Sequence, residues 1–72
     1  MSSSEQIEIT VNGETRQVAG GYTVAMLLAD MQLAGKRIAV ERNLEIVPRS
    51  QHESTALQDQ DSLEIVHAIG GG

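Results

Sequence analysis

One stretch of this chain, Val24 to Met31, carries an apolar stripe of helical period. Val24, Leu27, Leu28 and Met31 fall at i, i+3, i+4 and i+7, so one face of a short helix is apolar. The other apolar residues sit in short runs that alternate with polar ones. A single helix can cover only one face of the sheet those runs would build. The chain therefore reads as an α+β layer pair, not a sheet wrapped on both sides.

The strands follow in order. In "IEITV", Ile7, Ile9 and Val11 alternate with Glu8 and Thr10, the period of a strand with one buried face. Asn12-Gly13 is a strong hairpin signal, because both residues tolerate positive φ. "ETRQVA" returns as a second strand whose weak apolar pattern suits a sheet edge. Gly20-Gly21 breaks the chain before the helix. Thr23 is placed to cap the first turn through its hydroxyl, with Tyr22 and Leu27 as a hydrophobic staple. Gly35 is the expected C′ residue, with Lys36 and Arg37 beside the negative end of the helix dipole. "RIAVER" gives a third strand with Ile38 and Val40 inward, and Asn43 suits a tight turn. "LEIV" is a short fourth strand closed by Pro48, which cannot donate to a ladder. After a polar loop plugged by Leu57, "SLEIVHA" is the fifth strand, with Leu63 and Ile65 on one face and Glu64, Val66 and Ala68 on the other.

The chain has 72 residues and reads as one domain. A chain so short buries only about 60% of its unfolded surface, which leaves little room for a deep catalytic pocket. It contains one Tyr, no Phe and no Trp, so the core is aliphatic and no platform for stacking bases exists. The net charge of −5 argues against nucleic acid, whose phosphates need a basic face. It suits a partner with a positive docking surface and, equally, plain solubility. With no Cys, disulfides, thiolate metal sites and Cys nucleophiles are all excluded. No run reads as a signal peptide or membrane span, and a monomer in the cytoplasm is expected. No metal site and no bound cofactor are expected.

Several residues invite a chemical role. His52 and His67 lie in a loop and a strand without clustered ligands, so an ordinary structural role is favoured. Glu53, Asp59 and Asp61 lack the spacing of an EF-hand loop and read as solvated loop acids. Gly20-Gly21 lacks the rest of a phosphate-loop pattern and reads as a turn. Met26 and Leu33 lie off the buried stripe. Arg49 reads as a surface residue or a partner's ion-pair contact.

The element order and the run "VHAIGGG" give the chain a family likeness. It resembles the ubiquitin-like β-grasp sulfur carriers, most closely the ThiS type of thiamine biosynthesis. "VERNLEIVPR" is similar to that family's strand–Asn–strand segment, and "LQDQDSLEIVHAIGGG" to its last loop, strand and Gly-Gly end. The resemblance implies a mixed five-stranded sheet with one main helix on one face. It also implies a segmentation into a disordered stretch 1–6, a carrier domain 7–69 and a flexible glycine tail 70–72. Where the family often has Asp-Gly-Asp, this chain has Asp59-Gln60-Asp61. Gln60 would be strained at positive φ, so a turn of different shape is expected there.

The family's chemistry, carried onto this chain, is as follows. An E1-like adenylyltransferase uses ATP to adenylate the carboxylate of Gly72. Sulfur from a donor protein then replaces an oxygen to give a thiocarboxylate. Thiazole synthase accepts that sulfur. The chain is then a carrier and co-substrate with no catalytic residue of its own. Gly70 and Gly71 would thread the partner's channel, where the absence of Cβ lets backbone close in. Independently of the resemblance, the sheet face that one helix leaves free would show Glu64, Val66 and Ala68, with Ile69 at the root of the tail: a docking surface with an acidic rim, or equally a few scattered surface apolar residues. Two alternatives share parts of this picture: the small subunit of molybdopterin synthase, and a ubiquitin-like modifier or binding module.

Overall fold

The computed structural model describes residues 5–67. Its elements are β1 (Gln6–Val11), β2 (Glu14–Ala19), α1 (Val24–Asp30), β3 (Ile38–Arg42), β4 (Glu45–Val47), a 3₁₀ turn (Arg49–Gln51) and β5 (Ser62–His67). The strands form one mixed sheet in the order β2-β1-β5-β3-β4. β5 pairs parallel to β1 and antiparallel to β3, and the two hairpins form the flanks. Glu5 and Gln6, expected to belong to a disordered stretch 1–6, are part of the fold. Glu5 accepts a backbone hydrogen bond from Gly20, and Gln6 already pairs with Ala19 in β1.

The helix lies on one face, and the core is built between it and the sheet. Ile9, Val11, Val40, Leu63 and Ile65 point up from the strands, while Val24, Leu27 and Leu28 point down from α1. Val47 and Leu57 complete this aliphatic core, and Ile7, Val18, Tyr22, Met31, Leu33 and Ile38 pack around it. Leu57 is the expected plug. Its N–H donates to the Tyr22 carbonyl, and Val24 N–H donates to the Thr55 carbonyl, so the long loop is stitched to the start of the helix.

Thr23 caps α1 as expected: its hydroxyl accepts from Met26 N–H at 3.1 Å. The other end differs from the sequence reading. The helix stops at Asp30 with Met31 as C-cap, and Gln32, at φ +62°, takes the left-handed position assigned to Gly35. Gln32 N–H reaches the Ala29 carbonyl and Leu33 N–H reaches the Leu28 carbonyl, the paired bonds of a Schellman motif. Burying Leu33 beside Leu28 favours this early stop, since a longer helix would swing Leu33 off the core. Gly35 serves a separate turn, and the last helical turn holds no basic residue, so Lys36 and Arg37 do not complement the dipole.

Tyr22 is tied to the far end of the helix by a hydrogen bond from its hydroxyl to the Asp30 carboxylate. Burial, the bond to Asp30 and the Asp30 charge, in that order, push its pKa up to about 12, with Arg16 opposing. The unfolded chain loses this proton near 10. The contribution to stability is therefore complete below pH 10 and is lost as pH rises through 12. Tyr22 is the only tyrosine, so its phenolate absorbance reports this directly. The midpoint is expected near 12 in the native protein and closer to 10 in Asp30→Asn.

Candidate functional site

The candidate site is the end of β5 and the sheet face that α1 leaves open. β5 sits at the centre of the sheet, but its ladder with β1 is short: only Thr10–Ser62 and Val11–Leu63 pair. Beyond Val11 the chain turns away, and Ile65 would lose its partner on that side. The side chain of Asn12 replaces the missing backbone. Its Oδ1 accepts from Ile65 N–H at 2.8 Å and its Nδ2 donates to the Ile65 carbonyl at 3.2 Å.

Asn43 does the same work from the opposite hairpin. Its Oδ1 accepts from Ser62 N–H at 3.0 Å, and its own N–H donates to the Ser62 carbonyl at 2.7 Å. Both asparagines are first residues of two-residue hairpin turns, at φ +51° and +52°. Asn is favoured at such a position because it tolerates the left-handed region. Here that choice also aims a short amide at β5.

Asp61, just before β5, completes the frame. It was expected to be a solvated loop acid; it is buried. Its carboxylate accepts from Arg42 Nε at 2.8 Å, Gln58 N–H at 2.8 Å and Asn43 Nδ2 at 3.0 Å. Burial alone would raise its pKa. The bonds from Gln58, Asn43 and Arg42, with the Arg42 charge, outweigh burial and hold the carboxyl below its ordinary value. Asp59, though exposed, is also engaged: it accepts from Glu8 N–H at 2.8 Å. Gln60 adopts φ +73°, so the expectation of a turn that avoids the left-handed region is not met. Its N–H donates to the Glu8 carbonyl, which helps hold the residue there.

The structure places the two described docking candidates together: Glu64 and Val66 both project from β5 onto the open face, and both are exposed. Ala68, Ile69, Gly70, Gly71 and Gly72 lie outside the described residues. His67 is exposed. His52 is buried and structural: Nε2 donates to the Val47 carbonyl at 3.1 Å, and its own carbonyl accepts from Ala25 N–H. Arg49 donates to the Lys36 carbonyl. Among the described residues, no group of three His, Asp or Glu could hold a metal ion, and no helix is long and apolar enough to cross a membrane.

Sequence reasoning missed Asn12, Asn43 and Asp61 as a frame for β5, since those contacts join residues 18 to 53 positions apart. It also missed Glu41, Leu44 and Ile46, which border the open face beside Glu64. A cleft of about 420 Å³ opens there, lined by Glu41, Asn43, Leu44, Ser62 and Glu64.

The ThiS family model matches residues 9–72, which include all of the sheet from Ile9 onward and the three final glycines. The chain belongs to the ThiS family. The sulfur carrier protein ThiS of Bacillus subtilis is 46% identical over 50 residues, covering 69% of this chain and 76% of that protein. The crystal structure of a thiamine biosynthesis protein (ThiS) from Geobacter metallireducens superposes with a TM-score of 0.75 at 32% identity, covering 92% of this chain and all of that one. The architecture is thus the ubiquitin-like β-grasp of that family. A thiazole synthase of Paramagnetospirillum magneticum is 46% identical over 66 residues. These residues make up 92% of this chain, but the chain spans only 20% of that enzyme's length.

Two substitutions test the frame. Asn12→Gly keeps a residue that accepts positive φ and deletes both bonds to Ile65; urea unfolding is expected to show a loss of about 1–2 kcal/mol. For Asp61 the sign follows from its lowered pKa. The unfolded chain takes up a proton near 3.8 while the folded one is still ionised. Stability from this group is therefore complete above that value and is lost as pH falls toward the folded pKa. Asp61→Asn is expected to be less stable at pH 7 and to show a shallower acid dependence.

Proposed function

We propose that this ThiS-family chain is a sulfur carrier of thiamine biosynthesis, with the carboxylate of Gly72 as the reacting group. The observation that supports this best is the family match running through Gly72, at the end of a chain segment that leaves a clamped central strand. A carboxylate is a poor electrophile. Attack of its oxygen on the α-phosphorus of ATP, with pyrophosphate leaving, makes an acyl adenylate. The terminal sulfur of a donor-protein persulfide then adds to the Gly72 carbonyl carbon, and AMP departs with the oxygen. A second thiol attacks the donor's own sulfur, so that the S–S bond of the acyl disulfide breaks and the donor leaves as a disulfide with that thiol. The product is a thiocarboxylate, which hands its sulfur to thiazole synthase.

In this reading the chain supplies the reacting atoms and the docking surface, and the partners supply catalysis. An E1-like adenylyltransferase binds the ATP. Gly70 to Gly72, extended, span about 10 Å, enough to carry the carboxylate from the domain surface into a cleft. Ordering them costs about 1–2 kcal/mol per residue, which the docking surface must offset. The likeness to thiazole synthases, in which a segment like this one is part of a longer chain, supports a ThiG-type partner as sulfur acceptor.

The test is to incubate the protein with its host's adenylating enzyme, ATP and a sulfur donor, and to weigh the product. An exchange of one oxygen for sulfur, mapped to Gly72, is expected. Deletion of Gly71-Gly72 is expected to abolish both the exchange and rescue of a thiamine auxotroph. Full rescue by the truncated chain would rule the proposal out.

A further inference from the structure

Leu44 breaks two rules of local folding at once. It is the second residue of the Asn43-Leu44 turn that joins Arg42 to its partner Glu45. It holds φ +71° and is 87% exposed. The left-handed region is unfavourable for any residue with a Cβ, and more so for a bulky one. The same chain shows the relaxed solution. In the other two-residue turn, between the paired Val11 and Glu14, the corresponding position is Gly13 at φ +86°. A leucine that is strained and also held in water contributes nothing to the fold, so its value lies in what it touches outside it.

Its surroundings indicate what that is. Register places Ile46 opposite Glu41, and Val66 opposite Ala39, all on the open face. Ile46 is 60% and Val66 55% exposed, so an apolar strip runs from the hairpin tip across that half of the sheet. Between its members, Glu41 and Glu64 stand directly across from one another, a like-charge pair that disfavours the sheet. No open-face strand position among the described residues is Lys or Arg. Arg42 is turned to Asp61, and Arg16 shares the helix-side face with Ile9. A second copy of this chain would set these carboxylates against their own kind. A cationic partner would relieve them.

Position narrows the partner further. Leu44 lies at the Leu63 end of β5, and the tail leaves from the His67 end. The strand between them is about 17 Å long. A protein that takes in the tail and also grips Leu44 must lie along the whole open face. We propose that Leu44 and Ile46 form a docking knob that enters an apolar pocket flanked by Lys or Arg on the enzyme that adenylates the tail. Glu41 and Glu64 meet those cations. The proposal rests on the sulfur-carrier reading for the identity of that enzyme, and it adds a specificity determinant at the end of the sheet opposite the tail.

The experiment compares wild type with Leu44→Gly, Leu44→Asn and Glu41→Gln/Glu64→Gln. It measures thermal unfolding, and pyrophosphate release by the host's adenylating enzyme over a range of carrier concentrations. Leu44→Gly is expected to unfold a few degrees higher, because the strain is gone. It is also expected to raise KM about tenfold, with kcat within about twofold, as expected when a leucine no longer leaves water on docking. The double Gln variant is expected to raise KM and flatten the salt dependence of kcat/KM. Wild-type turnover with KM unchanged in both Leu44 variants overturns the docking knob alone. A wild-type dimer that Leu44→Gly dissociates also overturns it, by making the occupant a second copy. Absence of pyrophosphate from the wild type would sink the carrier reading, and the knob with it.

Discussion

The fold depends on how β5 is held. A central strand must have both edges of its backbone satisfied, because an unpaired buried N–H or carbonyl costs as much as a lost hydrogen bond. β3 serves one edge along nearly its whole length. The other edge meets β1 for only two residue pairs, and a side chain closes the gap. Asn12 presents both an acceptor and a donor to Ile65, so an amide side chain takes the place of a peptide unit. Asn43 and Asp61 fix the opposite end of the strand. These are exchanges of like for like: each amide replaces one that the ladder lacks, so the sheet stays continuous where the backbone is not.

That frame fixes β5, the strand that leads into residues 68–72, and does so without using up the open face. The bonds from Asn12 and Asn43 run in the plane of the sheet, edge to edge. Glu64 and Val66 therefore remain available above it. The division of labour is clean: Leu63 and Ile65 bind the helix layer, the asparagines bind the edges, and the alternate side chains Glu64 and Val66 stay exposed.

How far this was legible in the sequence follows from the range of each interaction. The alternation around Ile9, Val40 and Ile65, the stripe at Val24, Leu27 and Leu28, and the cap at Thr23 all follow from local patterns, and the structure agrees with them. The end of α1 did not follow. Gly35 is the better left-handed residue by propensity, yet Gln32 takes that position, because stopping there places Leu33 beside Leu28. Packing outweighs a preference of roughly 1 kcal/mol. Asp61 was misread for a related reason. A carboxylate in a polar loop looks solvated until Arg42 and Asn43, distant in sequence, are brought to it. The role of the three final glycines was readable only through resemblance, since they lie outside the described residues.

Leu44 and the Glu41–Glu64 pair show the converse. In a sequence shaped by folding alone, local choices agree with the global structure. Asn43 agrees with its turn and Leu44 does not; Val40 agrees with its cross-strand neighbour Ile65 and Glu41 does not agree with Glu64. Gln32 and Gln60 also hold positive φ, but bonds within the chain account for them: the Schellman bonds around Gln32, and the Gln60 N–H to the Glu8 carbonyl. Leu44 and the Glu41–Glu64 pair have no such account among the described residues, and they share one face and one cleft. Random drift in a surface would spread such conflicts over both flanks and the exposed side of α1. Their concentration beside the strand that carries the tail is what a second body, pressed along that face, would account for.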